Sequence, residues 1–280
     1  MKESTPTAPA KIRAAAAAGR FYPADASALR GLVNDLLANV QPSDAPAPKA
    51  LIAPHAGYVY SGPVAASAYA RFKPARDLIK RVVLVGPSHF VPVEGLAASS
   101  AEAFATPLGP VRVDTEAVRK LARFSQVTVL DEAHLHEHSL EVHLPFLQVV
   151  LEDFAIVPLV AGEATAEQVA EVLDALWDGP ETRFVISSDL SHYLDSDAAH
   201  RLDRRTADAV EKLRPEDISD EQACGRIPIR GLLQAARGHH LCARTVDLRN
   251  SGDTAGPRNQ VVGYGAFVFE PAEAEGNSPP

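Results

Sequence analysis

Residues 82–89 read Val82-Val83-Leu84-Val85-Gly86-Pro87-Ser88-His89, which is an apolar run followed by a short turn and a histidine. The stretches Leu51-Ile52-Ala53-Pro54-His55 and Phe184-Val185-Ile186-Ser187-Ser188-Asp189-Leu190-Ser191-His192 follow the same pattern. Short apolar runs separated by helical patterns are typical of strands that are buried on both faces of a sheet between helices. The three stretches therefore predict an α/β fold.

Similar runs and periodicities extend this prediction along the chain. Buried strands are predicted at 50–53, 82–85, 156–160, 184–186 and 261–269. Apolar residues at three- and four-residue spacing predict helices at 24–40, 62–72, 115–124, 166–177, 195–213 and 227–236, with Asp25 or Ser27, Ser61 and Thr165 as caps for the first, second and fourth. The short runs 111–113 and 127–129 indicate a peripheral or antiparallel addition. We expect a three-layer α/β/α fold whose central sheet is mixed and largely parallel.

The composition is that of an ordinary folded protein. The chain has 280 residues, of which 46% are hydrophobic and 22% charged, and this balance excludes extended disorder and fibrous repeats. We found no convincing linker, so we predict a single domain over residues 12–270. The segments 1–11 and 271–280 lack periodicity and are predicted to be flexible tails.

Charge and cysteine content exclude several classes of partner and compartment. The formal net charge is -9 and no run of Lys or Arg forms a stripe, which argues against nucleic-acid binding. No apolar stretch reaches the roughly 18 to 20 residues that a membrane-spanning helix needs. Two cysteines, Cys224 and Cys242, are too few for a disulfide framework. We expect a cytoplasmic protein with no membrane partner.

The three histidines that follow strands are the main candidates for chemistry. In open α/β sheets, loops at the carboxyl ends of the strands project side chains into a shared crevice. A single histidine there would be interpreted as a loop residue with a satisfied hydrogen bond, but three of them favour a joint function. Neutral imidazole is a common metal ligand and also titrates near neutral pH. We predict that His55, His89 and His192 converge on one site, and that it binds a metal ion.

A dense polar cluster occupies residues 132–145. It does not contain the zinc-protease pattern His-Glu-x-x-His, because Leu140 stands where the second histidine is required after His136-Glu137. Pro145 favours a helix that begins near Leu144, so the cluster is predicted to lie on the preceding loop. We interpret His134 and His136 as solvated loop residues. Four further side chains are candidates for holding the ligand histidines through hydrogen bonds: Glu137, His138, Glu141 and His143.

A turn-rich loop lies just before the last predicted strand. Asn250-Ser251-Gly252-Asp253-Thr254-Ala255-Gly256 contains the residues expected of a β-turn. A carboxylate at this position could also complete a metal site begun by the histidines, since two histidines and one carboxylate form the facial triad that binds Fe(II). Both interpretations of the loop stand at this point.

Six ordered motifs carry a resemblance to a known family. The chain resembles the Memo-like family, whose bacterial members are called AmmeMemoRadiSam system protein B, across almost its whole length. The matching stretches are Ala18-Gly19-Arg20-Phe21-Tyr22-Pro23, residues 53–62, Gly86-Pro87-Ser88-His89, residues 137–146, Ser187-Ser188-Asp189-Leu190-Ser191-His192, and Asn250-Ser251-Gly252-Asp253 with Val262-Gly263-Tyr264.

The resemblance implies a fold similar to that of class III extradiol dioxygenases. In those enzymes two histidines and a carboxylate hold non-haem Fe(II), and a further histidine acts as acid and base. His55 and His89 match the two histidine ligands, His192 matches the acid/base position, and Asp189, which lies beside them, is expected to be catalytic together with His192. Copper and zinc are alternatives to iron at such a site.

One departure from the family concerns the third ligand. Animal relatives place a cysteine in the loop before the final strand, and alignment on the Gly263-Tyr264 motif puts Thr254 there. Neither Cys224 nor Cys242 matches this position. We therefore expect Asp253, or a water held by this loop, to replace the thiolate and to make the site harder.

Three functions follow as hypotheses. The first is a metal-dependent redox enzyme of the dioxygenase type, with Fe(II) at His55 and His89 and with His192 as proton carrier. The second is a metal- or peptide-binding adaptor without turnover, and the third is zinc-dependent hydrolysis. The ligand is an unidentified small molecule or peptide. The bacterial family name implies association with radical-SAM system partners.

Overall fold

A computed structural model describes residues 10–272 of the chain. Within this range the apolar runs form strands of one sheet: β1 (Ile12–Arg13), β2 (Ala50–Ala53), β3 (Arg81–Pro87), β4 (Leu96–Ala98), β5 (Ala103–Phe104), β6 (Val111–Val113), β7 (Val127–Val129), β8 (Ala155–Ala161), β9 (Thr182–Ser187), β10 (His192–Leu194), β11 (Leu241–Asn250) and β12 (Val261–Pro271). The predicted tails fall largely on residues 1–9 and 273–280, which lie outside the described range. All of the predicted strands are present.

The order of the strands explains why their ends meet. The path through the sheet is β1-β5-β6-β8-β3-β9-β2-β12-β10, while β11 pairs with β12, and β4 pairs with β8 and β7. The run β6-β8-β3-β9-β2 is parallel throughout, and β12 joins it antiparallel to β2. The expected mixed, largely parallel sheet is thus confirmed. Because β3, β9 and β2 are neighbours, the segments that follow them leave the same edge of the sheet.

Helices pack against this sheet in two groups. Their bounds are α1 (Ala26–Ala38), α2 (Tyr58–Tyr69), α3 (Thr115–Leu121), α4 (Glu132–Leu135), α5 (Leu144–Val150), α6 (Ala166–Asp174), α7 (Ser196–Glu211), α8 (Arg226–Gly238) and α9 (Ser251–Thr254). Helices α6 and α8 pack together, with α8 against β3 and β9, whereas α1, α2 and α5 pack together, with α2 against β2 and β12. This arrangement is consistent with a three-layer α/β/α fold.

Local sequence chemistry sets most helix starts. Asp25 caps α1 by accepting a hydrogen bond from the Ala28 amide, and Thr165 forms a reciprocal capping box with Gln168 at the start of α6. Pro145 occupies the first turn of α5, as its missing N–H predicts. These starts confirm the capping residues expected for α1 and α6.

The start of α2 was predicted wrongly. The helix begins at Tyr58 rather than Gly62, and Ser61 does not cap it, since the Ser61 hydroxyl donates to the Ala56 carbonyl. The Tyr58 amide instead donates to the carbonyl of Phe21, 2.8 Å away, in the N-terminal segment. A partner distant in sequence satisfies this helix terminus, so the local pattern misplaced it.

The central strands are buried along their whole length. Leu51, Ile52 and Phe184 have no exposed surface, and burial of such side chains contributes about 1.5–3 kcal/mol each. They belong to a hydrophobic cluster that extends from Ala17 to Phe269. This packing holds the strand ends rigidly and therefore fixes the loops that follow them. Within residues 10–272, no helix combines the length and the apolar character that crossing a membrane would require.

Candidate metal centre

The three histidines predicted to converge all lie at the carboxyl edge of the central strands. His55 follows β2 by two residues, His89 follows β3 by two residues, and His192 opens β10 shortly after β9. His89 and His192 line the same cleft, and His55 lies behind them, almost fully buried. The parallel order of β3, β9 and β2 accounts for this placement.

The tightest group of candidate ligands contains a different third histidine. One ring nitrogen each of His55, His89 and His138 lies within 4.8 Å of the others. The ring centres of His89 and His138 are 4.6 Å apart, and that of His55 lies 5.1 Å from His89 and 5.5 Å from His138. The sequence had placed His138 only among the residues that might support the ligands. Among the described residues this is the one group of three or more such side chains with metal-ligand spacing.

Hydrogen bonding fixes the tautomer of His55. Its Nδ1 lies 2.6 Å from the Ser187 hydroxyl oxygen, and that hydroxyl donates its hydrogen to the Ser139 carbonyl, also at 2.6 Å. A hydroxyl has a single hydrogen, so Ser187 can only accept from His55. Nδ1 of His55 therefore carries the proton, and Nε2 is the unprotonated ring nitrogen.

Glu137 orients His89 in the same manner. The carboxylate accepts hydrogen bonds from the His89 amide at 2.7 Å and from His89 Nδ1 at 2.9 Å, and it lies 3.4 Å from His138 Nδ1. Burial alone would raise the pKa of Glu137, but the bonds from His89 and from the Ser139 amide lower it to about 2. An ionised carboxylate can only accept, so Nε2 of His89 also keeps a free lone pair.

Burial and mutual repulsion keep two of these imidazoles neutral. The pKa of His55 is held well below its usual value by burial and by the nearby His89 and His138. Burial, together with His89, also lowers the pKa of His138. Neutral imidazole is the form that binds metal ions, so the environment favours the ligand form at neutral pH.

Cys224 lies beside this group, although the sequence indicated no link between either cysteine and the site. Its Sγ lies 3.4 Å from His55 Nε2 and 3.6 Å from the Asp189 carbonyl. Gly225 makes this approach feasible, because a Cβ at that position would lie 2.5 Å from the Ser187 carbonyl oxygen. Burial raises the pKa of the Cys224 thiol to about 12. In the sequence, the only sign of this close approach is the glycine that follows Cys224 just before α8.

Asp189 ties the loops of the site together. One of its carboxylate oxygens accepts hydrogen bonds from the amides of His55 and Ala56, at 2.8 and 3.3 Å. The other oxygen lies 4.0 Å from His55 Nε2. Burial raises the pKa of Asp189. The side chain thus holds the loop that carries His55 while facing the histidine cluster.

A cleft of about 680 Å³ opens onto the cluster. His89, His192 and Cys224 form part of its wall, together with the apolar side chains of Leu194 and Leu202. A volume of this size suits a small organic ligand. The cleft brings such a ligand within reach of both the cluster and His192.

Two of the side chains expected to support the ligands act elsewhere. Glu141 binds the N-terminal segment, where its carboxylate pairs with Arg13 and accepts from the Ala16 and Ala17 amides and the Tyr22 hydroxyl. His143 is buried, and its Nδ1 lies 2.8 Å from the Tyr69 hydroxyl. Neither forms a hydrogen bond with His55, His89 or His138 within the part of the chain that the structure describes.

The N-terminal segment nevertheless contributes to the site. The anchoring of Arg13 and Tyr22 by Glu141 places the ring of Phe21 against His138, with ring centres 4.4 Å apart. His134, expected to be solvated, is instead buried, and its Nε2 contacts the Ala97 carbonyl at 3.0 Å. Arg13 bonds to the carbonyl of His134, so this histidine belongs to the same packed region. His136 is exposed, as expected.

The structure does not place Asp253 in the group formed by His55, His89 and His138. Its carboxylate accepts a hydrogen bond from the Asn250 amide at 2.9 Å, closing a capping box at α9, and contacts His200 Nε2, also at 2.9 Å. Thr254 donates its hydroxyl hydrogen to the Ser251 carbonyl. The loop is thus a capped turn, and its carboxylate is used within the turn and by His200.

Comparison with known proteins agrees with the motifs of this site. A sequence model of the family described as Memo-like protein matches residues 13–268. The chain belongs to the Memo family. A MEMO1 family protein of Aquifex aeolicus is 35% identical over 270 residues, which cover 92% of this chain and 99% of the relative. Memo family proteins of Methanothermobacter thermautotrophicus and Archaeoglobus fulgidus are 37% and 39% identical, covering 90% of this chain and 98% and 97% of their own lengths.

Proposed function

We propose that this Memo protein binds a first-row transition metal, Fe(II) foremost, at His55, His89 and His138 and uses it in an oxygen-dependent redox reaction of the extradiol-dioxygenase type. The observation that carries the proposal is the preset tautomers of His55 and His89. Ser187 and Glu137 occupy their Nδ1 positions, so Nε2 of each ring is unprotonated, and that of His55 has the Cys224 thiol beside it. Such outer hydrogen bonds are the usual companions of ligand histidines.

The donor set fits a metal of intermediate softness. Imidazole suits iron, copper and zinc, and a thiol at Cys224 adds a soft donor beside His55. The site is therefore softer than the carboxylate site that the sequence suggested with Asp253. Membership of the Memo family, together with the resemblance of that family to extradiol dioxygenases, favours iron within this range.

A bound metal ion of this kind would supply Lewis-acid and redox chemistry at the end of the cleft. The residues of the chain would perform the remaining tasks. His192, on the cleft wall, would accept a proton from a ligand hydroxyl and return it later. Asp189 would hold the His55 loop in place and balance positive charge near the cluster.

Metal analysis tests the binding part of this proposal. Protein purified without oxygen should contain about one equivalent of metal, and His55→Ala and His89→Ala variants should lose it. The matched control is His136→Ala, because this exposed histidine lies two residues from His138 and should leave the metal content unchanged. Cys224→Ser should weaken binding, whereas Cys242→Ser, at an exposed cysteine, should not. Full metal content in the His55→Ala and His89→Ala variants would refute the site.

Oxygen consumption distinguishes the reaction from its alternatives. Iron-loaded protein should consume oxygen in the presence of a catechol probe, and His192→Ala should abolish turnover while keeping the metal. Stoichiometric zinc in place of iron would favour hydrolysis. Iron without oxygen consumption would favour the adaptor function, in which the same cleft binds a small molecule or peptide without turnover.

A further inference from the structure

Strand β10 contains an irregularity at the wall of the cleft. His192 pairs with Val262 and Leu194 pairs with Val261, so two steps along β10 correspond to one step along β12. Tyr193 is the extra residue, and its φ of 62° lies in the left-handed region that side-chain-bearing residues rarely adopt. Bulges of this kind often redirect a side chain beside an active site.

The bulge changes what the cleft displays. In a regular strand, side chains alternate between faces, so Tyr193 would point away from His192 and Leu194. Here all three consecutive residues line the cleft. The Tyr193 side chain is 73% exposed, and its ring centre lies 5.7 Å from that of His192. The strained backbone thus holds an exposed aromatic ring at the entrance to the candidate site.

A second exposed aromatic ring adjoins the cluster. Phe90 is 58% exposed, with its ring centre 6.4 Å from that of His89 and 6.1 Å from that of His138. Large rings are usually buried, and exposed ones beside a cleft commonly contact a ligand. The approach to the histidines is therefore bordered by aromatic surface.

The charged side chains that line the cleft are acidic. Asp220 and Glu221 line it, and the lining contributed by the described residues includes no lysine or arginine. Asp220 forms an ion pair with Arg226, whereas Glu221 is exposed and has no ion-pair partner within residues 10–272. Next to Glu221 a carboxylate or phosphate would be repelled, and a cationic group could form an ion pair with it.

We propose that the cleft selects a ligand with a flat aromatic body, which stacks on Tyr193, and an amine that reaches Glu221. This inference rests on the proposed function, since it places the ligand beside the metal centre. It identifies Tyr193 and Glu221 as the residues that determine specificity, and it excludes ligands with a carboxylate or phosphate at the corresponding end.

Three catechols of similar size and different charge test this inference: dopamine, 4-methylcatechol and 3,4-dihydroxyphenylacetate. Binding is measured by calorimetry at neutral pH to protein loaded with Zn(II), which does not consume oxygen. Dopamine should bind most tightly and the carboxylate most weakly. The Glu221→Gln variant should lose about three- to fivefold in affinity for dopamine and nothing for 4-methylcatechol. Glu102→Gln, at an exposed glutamate beside β5, is the charge-matched control.

Substitutions at Tyr193 separate stacking from stability. Asn tolerates the left-handed conformation but has no ring, so Tyr193→Asn should weaken all three probes about three- to tenfold. Its thermal midpoint should be equal to or higher than that of the wild type. Tyr193→Phe should bind as the wild type does. Equal binding by Tyr193→Asn, or an equal loss in Tyr193→Phe, would refute the stacking role.

The outcomes also separate this inference from the proposed function. If the protein binds zinc normally but has equal affinity for the three catechols, the inference about the ligand is overturned and the proposed metal site is not. If no metal binds, the proposed function fails, and the probes are then compared on the metal-free protein. A lost preference for dopamine there overturns the inference as well, whereas a retained preference supports it.

Discussion

Glu137 and Glu141 lie four residues apart on one segment, both almost fully buried, yet they serve different parts of the molecule. Glu137 binds His89 and lies close to His138, so it belongs to the candidate metal centre. Glu141 pairs with Arg13 and ties down the N-terminal segment. The function of a buried carboxylate in a dense polar motif therefore depends on its long-range partners and not on its neighbours in sequence.

Glu141→Gln should have the largest effect on stability. It leaves Arg13 buried without a counter-charge, and breaking such a pair costs about 3–5 kcal/mol of unfolding free energy. Urea denaturation measures this loss. Metal affinity of the folded protein should change little. Glu132→Gln, at an exposed glutamate of the same segment, should stay within about 0.5 kcal/mol of the wild type. A loss below about 1 kcal/mol in Glu141→Gln would contradict its anchoring role.

Asp203 is a third buried carboxylate, and it has far fewer hydrogen-bond partners than Glu137 or Glu141. One oxygen accepts from the Ser191 amide, while the other has no hydrogen-bond partner within residues 10–272, and burial raises the pKa of Asp203 to about 6. The unfolded carboxyl, with a pKa near 3.8, ionises first as pH rises. Stability contributed by the protonated form is therefore present below about pH 4 and is lost as the pH passes through 6.

Asp203→Asn should remove this pH dependence. The shift corresponds to about 3 kcal/mol, so the variant should exceed the wild type by up to about that amount at pH 7.5 and by less at pH 5. Urea denaturation across this range measures the difference. Asp197→Asn, at an exposed position of the same helix, should show a difference that does not vary with pH. A constant difference for Asp203→Asn would show that the carboxyl is ionised in the folded protein throughout.

Glu137→Gln should lower the metal affinity, whereas Glu141→Gln should lower the free energy of unfolding. A neutral amide no longer enforces the His89 tautomer, and loss of such a partner typically weakens metal binding about 10- to 100-fold. Competition with a chelator measures the change. The exposed Glu132→Gln variant again serves as the control. If Glu137→Gln and Glu141→Gln weakened metal binding equally, the assignment of Glu137 to the metal centre and of Glu141 to the N-terminal segment would be wrong.

Tyr22→Phe should have the smallest effect. It removes one hydroxyl donor from Glu141, which keeps its bonds to Arg13 and two amides, so we expect a loss of about 1 kcal/mol in unfolding free energy. The control is Tyr60→Phe, since that ring is partly exposed. A loss as large as that of Glu141→Gln would mean that the hydroxyl, rather than the ion pair, anchors the segment.

The sequence predicted the parts of the fold that depend on local pattern. Apolar runs identified the central strands. Each of three runs is followed by a short turn and a histidine, which placed His55, His89 and His192 at one edge of the sheet, because neighbouring parallel strands end at the same edge. It misplaced the start of α2 since the partner of the Tyr58 amide, Phe21, comes from a distant segment. The helices with local caps, such as α6, were predicted more accurately.

The sequence predicted the candidate site less completely, because several of its contacts join residues that are far apart in the chain. His138 and Cys224 reach His55 only through long-range packing, in which Gly225 lies against the Ser187 carbonyl. Asp253 looked suitable by chemistry, but a capping box uses its carboxylate locally. Residue type alone did not separate these outcomes, whereas the paired glycine after Cys224 was a readable sign of close approach.

The distribution of the cluster along the chain has a consequence for protein synthesis. Its histidines extend from His55 through His89 to His138, Cys224 lies beside His55, and the serine that sets the His55 tautomer is Ser187. A nascent chain that has not yet emerged from the ribosome as far as β9 lacks this serine and the strand between β3 and β2. Under the proposed function, metal capture at this site would therefore follow the synthesis of most of the chain.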